Sequence, residues 1–125
     1  MSTVVVVVRS AKVGGFKELR EQPHTVATRG YLSEVPPEAQ LEILKYTASH
    51  ISAKTTMIAF KPSKDSAPRE HYEDEGRTII KPIDRIKETI YAILDDHQTK
   101  ENLSEWCGEE VSTQYLLTFL LAQEY

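Results

Sequence analysis

A chain of 125 residues with 40% hydrophobic and 27% charged side chains can build one compact domain with its own core and is too short for two. A net charge of −4 and an 8% aromatic content exclude the basic, aromatic-studded surface of a direct nucleic-acid binder. The single cysteine, Cys107, excludes an internal disulfide and fits a reducing, cytoplasmic setting.

The first predicted element is the valine run 4–8. Branching at Cβ suits a pleated backbone, and a stretch apolar at every position implies both faces covered, so this Val-rich strand is expected to be buried and central. The run is too short for a secretory leader or a membrane span, as is the apolar stretch 115–122, so no membrane partner is expected. Arg9, Ser10 and Lys12 follow, ahead of Gly14-Gly15. They match neither dinucleotide nor P-loop spacing, so a basic glycine turn is the reading. Residues 16–32 are ambiguous, with "TVATRGYL" favouring a strand and Gly30 a turn or bulge.

"EVPPEAQLEILKYTASHIS" predicts a helix. Pro36-Pro37 belong at its first turn and Glu38 suits the positive end of the dipole. Leu41, Leu44, Ala48 and Ile51 then form its apolar face. "TTMIAF", 55–60, reads as a strand. Residues 63–77 are highly charged and read as a long loop open to motion. "TIIKPI" reads as a short strand. "PIDRIKETIYAILDDHQ" predicts a helix with Ile83, Ile86, Ile90, Ile93 and Leu94 on one face.

Residues 102–124 complete the chain as one helix or two, with Asn102 and Glu105 as N-cap and capping box and Gly108 marking a break or kink. The whole is an α+β single compact domain spanning residues 1–125. It is expected to hold a small sheet packed by about three helices, two of them C-terminal.

Chemistry-bearing patterns are sparse. A nucleophilic Cys107 needs a cationic neighbour, and Glu105, Glu109 and Glu110 would raise its pKa instead. His24, His50, His71 and His97 lie too far apart for zinc spacing. The acids Glu70, Glu73, Asp74 and Glu75 around His71 lack the offsets of a calcium loop and read as a secondary acidic loop. No metal or cofactor is expected.

What stands out is charge asymmetry. Residues 1–35 carry five basic and three acidic side chains, whereas Glu101, Glu105, Glu109, Glu110 and Glu124 occupy 101–125 with no lysine or arginine. Beside Trp106, this acidic helix predicts an adaptor, regulatory subunit or inhibitor that meets a basic protein surface, in its sharpest form an antagonist of a nucleic-acid-handling complex. The partner-binding residues would be Glu101, Glu105, Trp106, Glu109 and Glu110.

Two alternatives belong to other classes. One is a small enzyme or ligand-binding domain with a pocket near the strand ends, using Arg9, Ser10, His97 and Cys107. The other is a homodimeric scaffold joined through the Tyr115–Ala122 face, whose apolar side chains would cover most of a helix.

Overall fold

The computed structural model describes residues 5–7, 16, 19, 21–63, 71–73 and 78–125, with backbone alone for 5–7 and 71–73. Among these residues seven strands form one mixed sheet: β1 (Val5–Val7), β2 (His24–Thr28), β3 (Met57–Pro62), β4 (His71–Glu73), β5 (Thr78–Ile83), β6 (Ile90–Asp96) and β7 (Tyr115–Leu121). Three α-helices among the described residues join them: α1 (Arg29–Glu34), α2 (Pro37–His50) and α3 (Lys100–Cys107). The strand order is β1-β2-β7-β6-β3-β5-β4. β2 runs parallel to β7 and β3 to β5, while the remaining pairs are antiparallel. The fold is α+β, with a larger sheet than the composition suggested.

Several expectations need correction. The stretch 82–98 is not a helix: β5 runs through Pro82 and ends at Ile83, a connection holds Ile86, and β6 begins at Ile90. Arg85, at φ 71°, interrupts any helical path there. Nor is 102–124 helical throughout. α3 stops at Cys107 because Gly108 adopts φ 76°, a left-handed cap that glycine tolerates best, and its N–H donates to Ser104 O and Glu105 O. Among the described residues one α-helix is therefore C-terminal, followed after β7 by a short 3-10 turn at Ala122–Glu124, and the break expected at Gly108 is a full stop.

"YLLTFLL" is β7, a strand between β2 and β6, and it is apolar on both faces because Leu117, Phe119 and Leu121 join the main core while Leu116 joins the cluster under α3. Leu116, Leu117, Phe119, Leu120 and Leu121 are all buried, so the Tyr115–Ala122 stretch is interior sheet and not an open helical face for a second copy. The valine strand also differs. Val5–Val7 pair with β2 at one end of the strand order instead of its centre; the burial of its side chains lies outside the described residues. Within the supposed loop 63–77, residues 71–73 form β4. Arg29 and Gly30 open α1 and do not extend a strand.

Register assigns the faces. Leu117, Phe119 and Leu121 align with Leu94, Ala92 and Ile90 of β6, and Ala92 and Ile90 align with Ile58 and Phe60 of β3. These side chains join Tyr31, Val35, Ala39, Ile43, Ala48 and Ile51 from α1, α2 and the residues flanking them in the main core. Burying each large apolar side chain is worth about 1.5–3 kcal/mol relative to exposure. On the opposite face, Val26 and Leu116 meet Leu103 of α3, with Cys107 and Val111 packed beside them.

α2 forms where expected, with proline in its first turn and Glu38 near its start. Its buried stripe is Ala39, Ile43, Thr47 and Ala48, whereas Leu41 is 48% exposed and Leu44 lies at the margin of the core. Ala39, Ile43 and Ala48 pack into the main core. Thr47 enters that interface because its hydroxyl donates to Ile43 O at 2.7 Å, which removes the penalty of burying it.

The chain end ties the layers together. Thr28 caps α1 by accepting a hydrogen bond from Tyr31 N at 3.1 Å, and its own hydroxyl donates to Glu124 Oε1 at 2.6 Å. The same carboxylate oxygen accepts from Leu121 N at 3.1 Å. A Cβ on Gly30 would stand 2.7 Å from Glu124 Oε2. Gly30→Ala should therefore displace the carboxylate and cost about 1 kcal/mol, a lost charge-assisted bond outweighing the helix gain. In a Glu124→Ala background the same change should stabilise by about 0.5–1 kcal/mol. Urea unfolding of the four proteins measures this reversal of sign.

Candidate functional site

α3 connects β6 to β7 across the second face of the sheet. Its N-cap is Thr99, whose side chain accepts from Asn102 N at 3.0 Å. This corrects the Asn102 cap and the capping box with Glu105. Asn102 instead donates through Nδ2 to His97 O at 3.0 Å. Asp96 Oδ1 accepts from both Gln98 N and Gln114 Nε2, which fixes the turn into the helix against the start of β7.

Of the eight residues of α3, Leu103 is the buried one. Glu101 and Glu105 are exposed, one turn apart. Trp106 is 62% exposed and keeps a tilted ring contact with His97 at 5.5 Å. The acidic ridge is thus short. Glu109 and Glu110 are not its next turn, because the helix has ended; they lie in the following connection, both exposed.

His97 meets Trp106 and not the thiol. Cys107 is half-buried beside the second core cluster. Burial first, and the Glu109 charge second, push its pKa up. That is the opposite of what a nucleophile needs. The side chain packs against the cluster of Val26, Leu103 and Leu116, and of the flanking glutamates Glu109 contributes to the raised pKa.

Where the connection after α3 runs into β7, it forms one wall of a polar cleft. The other wall is the approach to β2, and the cavity between them is about 590 Å³. Gln22, His24, Lys100, Glu109, Glu110 and Ser112 are among its lining residues. His24 Nε2 stands 3.8 Å from Glu109 Oε1, with the imidazole side chain only 15% exposed.

The wall is held from behind. Ser104 Oγ accepts from Val111 N at 2.9 Å and donates to Val111 O at 3.3 Å. Glu109 N donates to Ser104 O, and Thr113 Oγ1 donates to Glu21 Oε1 at 3.1 Å.

The structure thus places Glu101, Glu105 and Trp106 on one exposed helix and takes Glu109 and Glu110 to the cleft beside it. Lys100, Gln22 and Ser112 escaped the sequence reading, which weighed His24 only as a metal ligand. Only the parallel pairing of β2 with β7, His24 opposite Leu116, brings these distant segments together, and no local spacing announces it. Glu73 lies on β4, with its side chain outside the described residues, as are Glu70, Asp74 and Glu75. Arg9, Ser10 and Lys12 fall outside them too. Among the described residues no group of three potential metal ligands occurs, and no helix is long and apolar enough to cross a membrane.

The raised thiol pKa carries a kinetic consequence. Alkylation of Cys107 by iodoacetamide should be slower at neutral pH than that of an unperturbed cysteine, rising as pH climbs through the elevated pKa. Glu109→Gln removes a charge that disfavours thiolate and should speed the reaction at fixed pH. A pH–rate profile of both proteins checks this. Comparison with protein-family models, curated proteins and solved structures finds no match for this chain.

Proposed function

We propose that this protein is an acidic protein–protein interaction module, an adaptor, regulatory subunit or inhibitor, that presents α3 to a basic partner surface. The observation that carries the reading is Trp106, 62% exposed on a helix that also exposes Glu101 and Glu105 and buries Leu103. A large indole left in water gains free energy when a partner covers it, and tryptophan is enriched where interface energy concentrates. The surrounding carboxylates supply direction. With no lysine or arginine from residue 101 onward, the C-terminal segment sets up a negative field that speeds encounter with a basic surface and rejects an acidic one.

Glu109 and Glu110 extend this charge beyond the helix end. A basic surface that itself binds nucleic acid is the sharpest form of the partner, since carboxylates can compete there with phosphates. The unpaired Cys107 fits a reducing, cytoplasmic site of action.

Trp106 is the chain's single tryptophan, so its fluorescence reports on the proposed interface. Partner binding should shift the emission to the blue and weaken as salt is raised. Glu101→Lys/Glu105→Lys should abolish capture of the partner at low salt. Trp106→Ala should weaken it by tenfold or more, about 1.4 kcal/mol, while changing stability by less than about 0.5 kcal/mol because the side chain is exposed. Equal capture by wild type and both variants would refute the reading.

A further inference from the structure

We propose that the cleft between the approach to β2 and the connection from α3 to β7 binds a small zwitterion, an amino acid or short peptide with free ammonium and carboxylate ends. Its volume of about 590 Å³ lies in the range of small-molecule sites. Its lining is unlike that of a site for an apolar ligand. Lys100 and His24 supply a cation and an imidazole, Glu109 and Glu110 supply two carboxylates, and Gln22 and Ser112 add neutral hydrogen-bonding groups.

Charge balance decides the ligand class. A simple anion would meet Lys100 and be repelled by Glu109 and Glu110, and a simple cation would meet the reverse. A ligand with both ends charged satisfies both sets: its ammonium against the glutamates, its carboxylate against Lys100 Nζ and an imidazole N–H of His24. His24 Nε2 and Glu109 Oε1 stand 3.8 Å apart, an ion-pair contact longer than a hydrogen bond, so both keep hydrogen-bonding capacity toward a ligand. The wall is also fixed in advance by the Ser104–Val111 and Thr113–Glu21 bonds, which lowers the ordering cost of binding.

Another cavity, about 190 Å³ among Tyr31, Leu32, Gln40, Leu41, Leu44 and Phe119, has no charged lining and offers no such recognition. The zwitterion site goes beyond the ridge reading: it shares Glu109 and Glu110 with it, but needs His24 and Lys100 and does not need Glu101, Glu105 or Trp106.

The test is an NMR titration of the ¹⁵N-labelled full chain with glycine, triglycine, and triglycine acetylated and amidated at its ends. The His24 and Ser112 amides are the reporters. Saturable shifts are expected with glycine or triglycine at a Kd on the order of 1 mM, and whichever binds more tightly separates amino acid from peptide. The capped peptide should bind at least about tenfold more weakly. Lys100→Gln and Glu109→Gln/Glu110→Gln should each weaken binding by about tenfold, whereas Glu101→Gln/Glu105→Gln should leave it unchanged. These side chains are exposed, and thermal melts confirm that each variant is folded. Absence of saturable shifts with both free-ended ligands would overturn the proposal. So would equal binding of the capped peptide, or indifference to Lys100→Gln.

Discussion

The insertion of β7 between β2 and β6 is the constraint on which the rest of the molecule depends. On one side lie β1 and β2, and on the other β6, β3, β5 and β4. β7 joins them, parallel to β2 and antiparallel to β6. Its Leu117, Phe119 and Leu121 complete the core beneath α1 and α2. Its Leu116 forms the floor on which Leu103 of α3 rests. The residues just beyond it place the Glu124 carboxylate on Thr28, at the cap of α1.

The same insertion positions the surface to which function is assigned. β6 and β7 are antiparallel neighbours, yet α3 joins them in place of a tight hairpin turn, so the connection must cross the sheet's second face. A helix this short is marginal alone and is held by its caps and by packing: Thr99 at one end, Gly108 at the other, and Leu103 beneath. That minimal anchoring leaves Glu101, Glu105 and Trp106 outward. The return from α3 to the start of β7 then passes alongside the start of its parallel partner β2, and the cleft opens between the two approaches. Ridge and cleft are consecutive products of one connection.

How far the sequence disclosed this varies with the kind of signal. α2 was legible because Pro36, Pro37 and Glu38 act locally at a helix start. Its buried face was legible in part: Ala48 and Ile51 are buried as expected, whereas Leu41 is exposed and Leu44 marginal, and Ala39, Ile43 and Thr47 take the interior instead. β3 and β5 were legible from β-branched apolar runs bounded by proline or charge. β6 was misread because Ile83, Ile86, Ile90 and Ile93 mimic a helical period, although they belong to the end of one strand, a connection, and the next strand. β7 was misread for a related reason. A seven-residue apolar run is compatible with a covered helix or a covered strand, and the neighbours that decide between them come from distant parts of the chain. The exposed Glu101, Glu105 and Trp106 were visible as a charge pattern. The cleft was invisible, since His24 and Glu109 meet only through long-range strand pairing.

Amide hydrogen exchange across residues 115–121 tests the central position of β7 most directly. Its backbone groups pair on both sides, so the account predicts extended-strand ¹³C chemical shifts there. It also predicts that these amides are among the slowest in the protein, exchanging only with global unfolding. Helical shifts over this segment, or exchange as fast as that of the chain's loops, would contradict the inserted strand and with it the placement of α3, the ridge and the cleft.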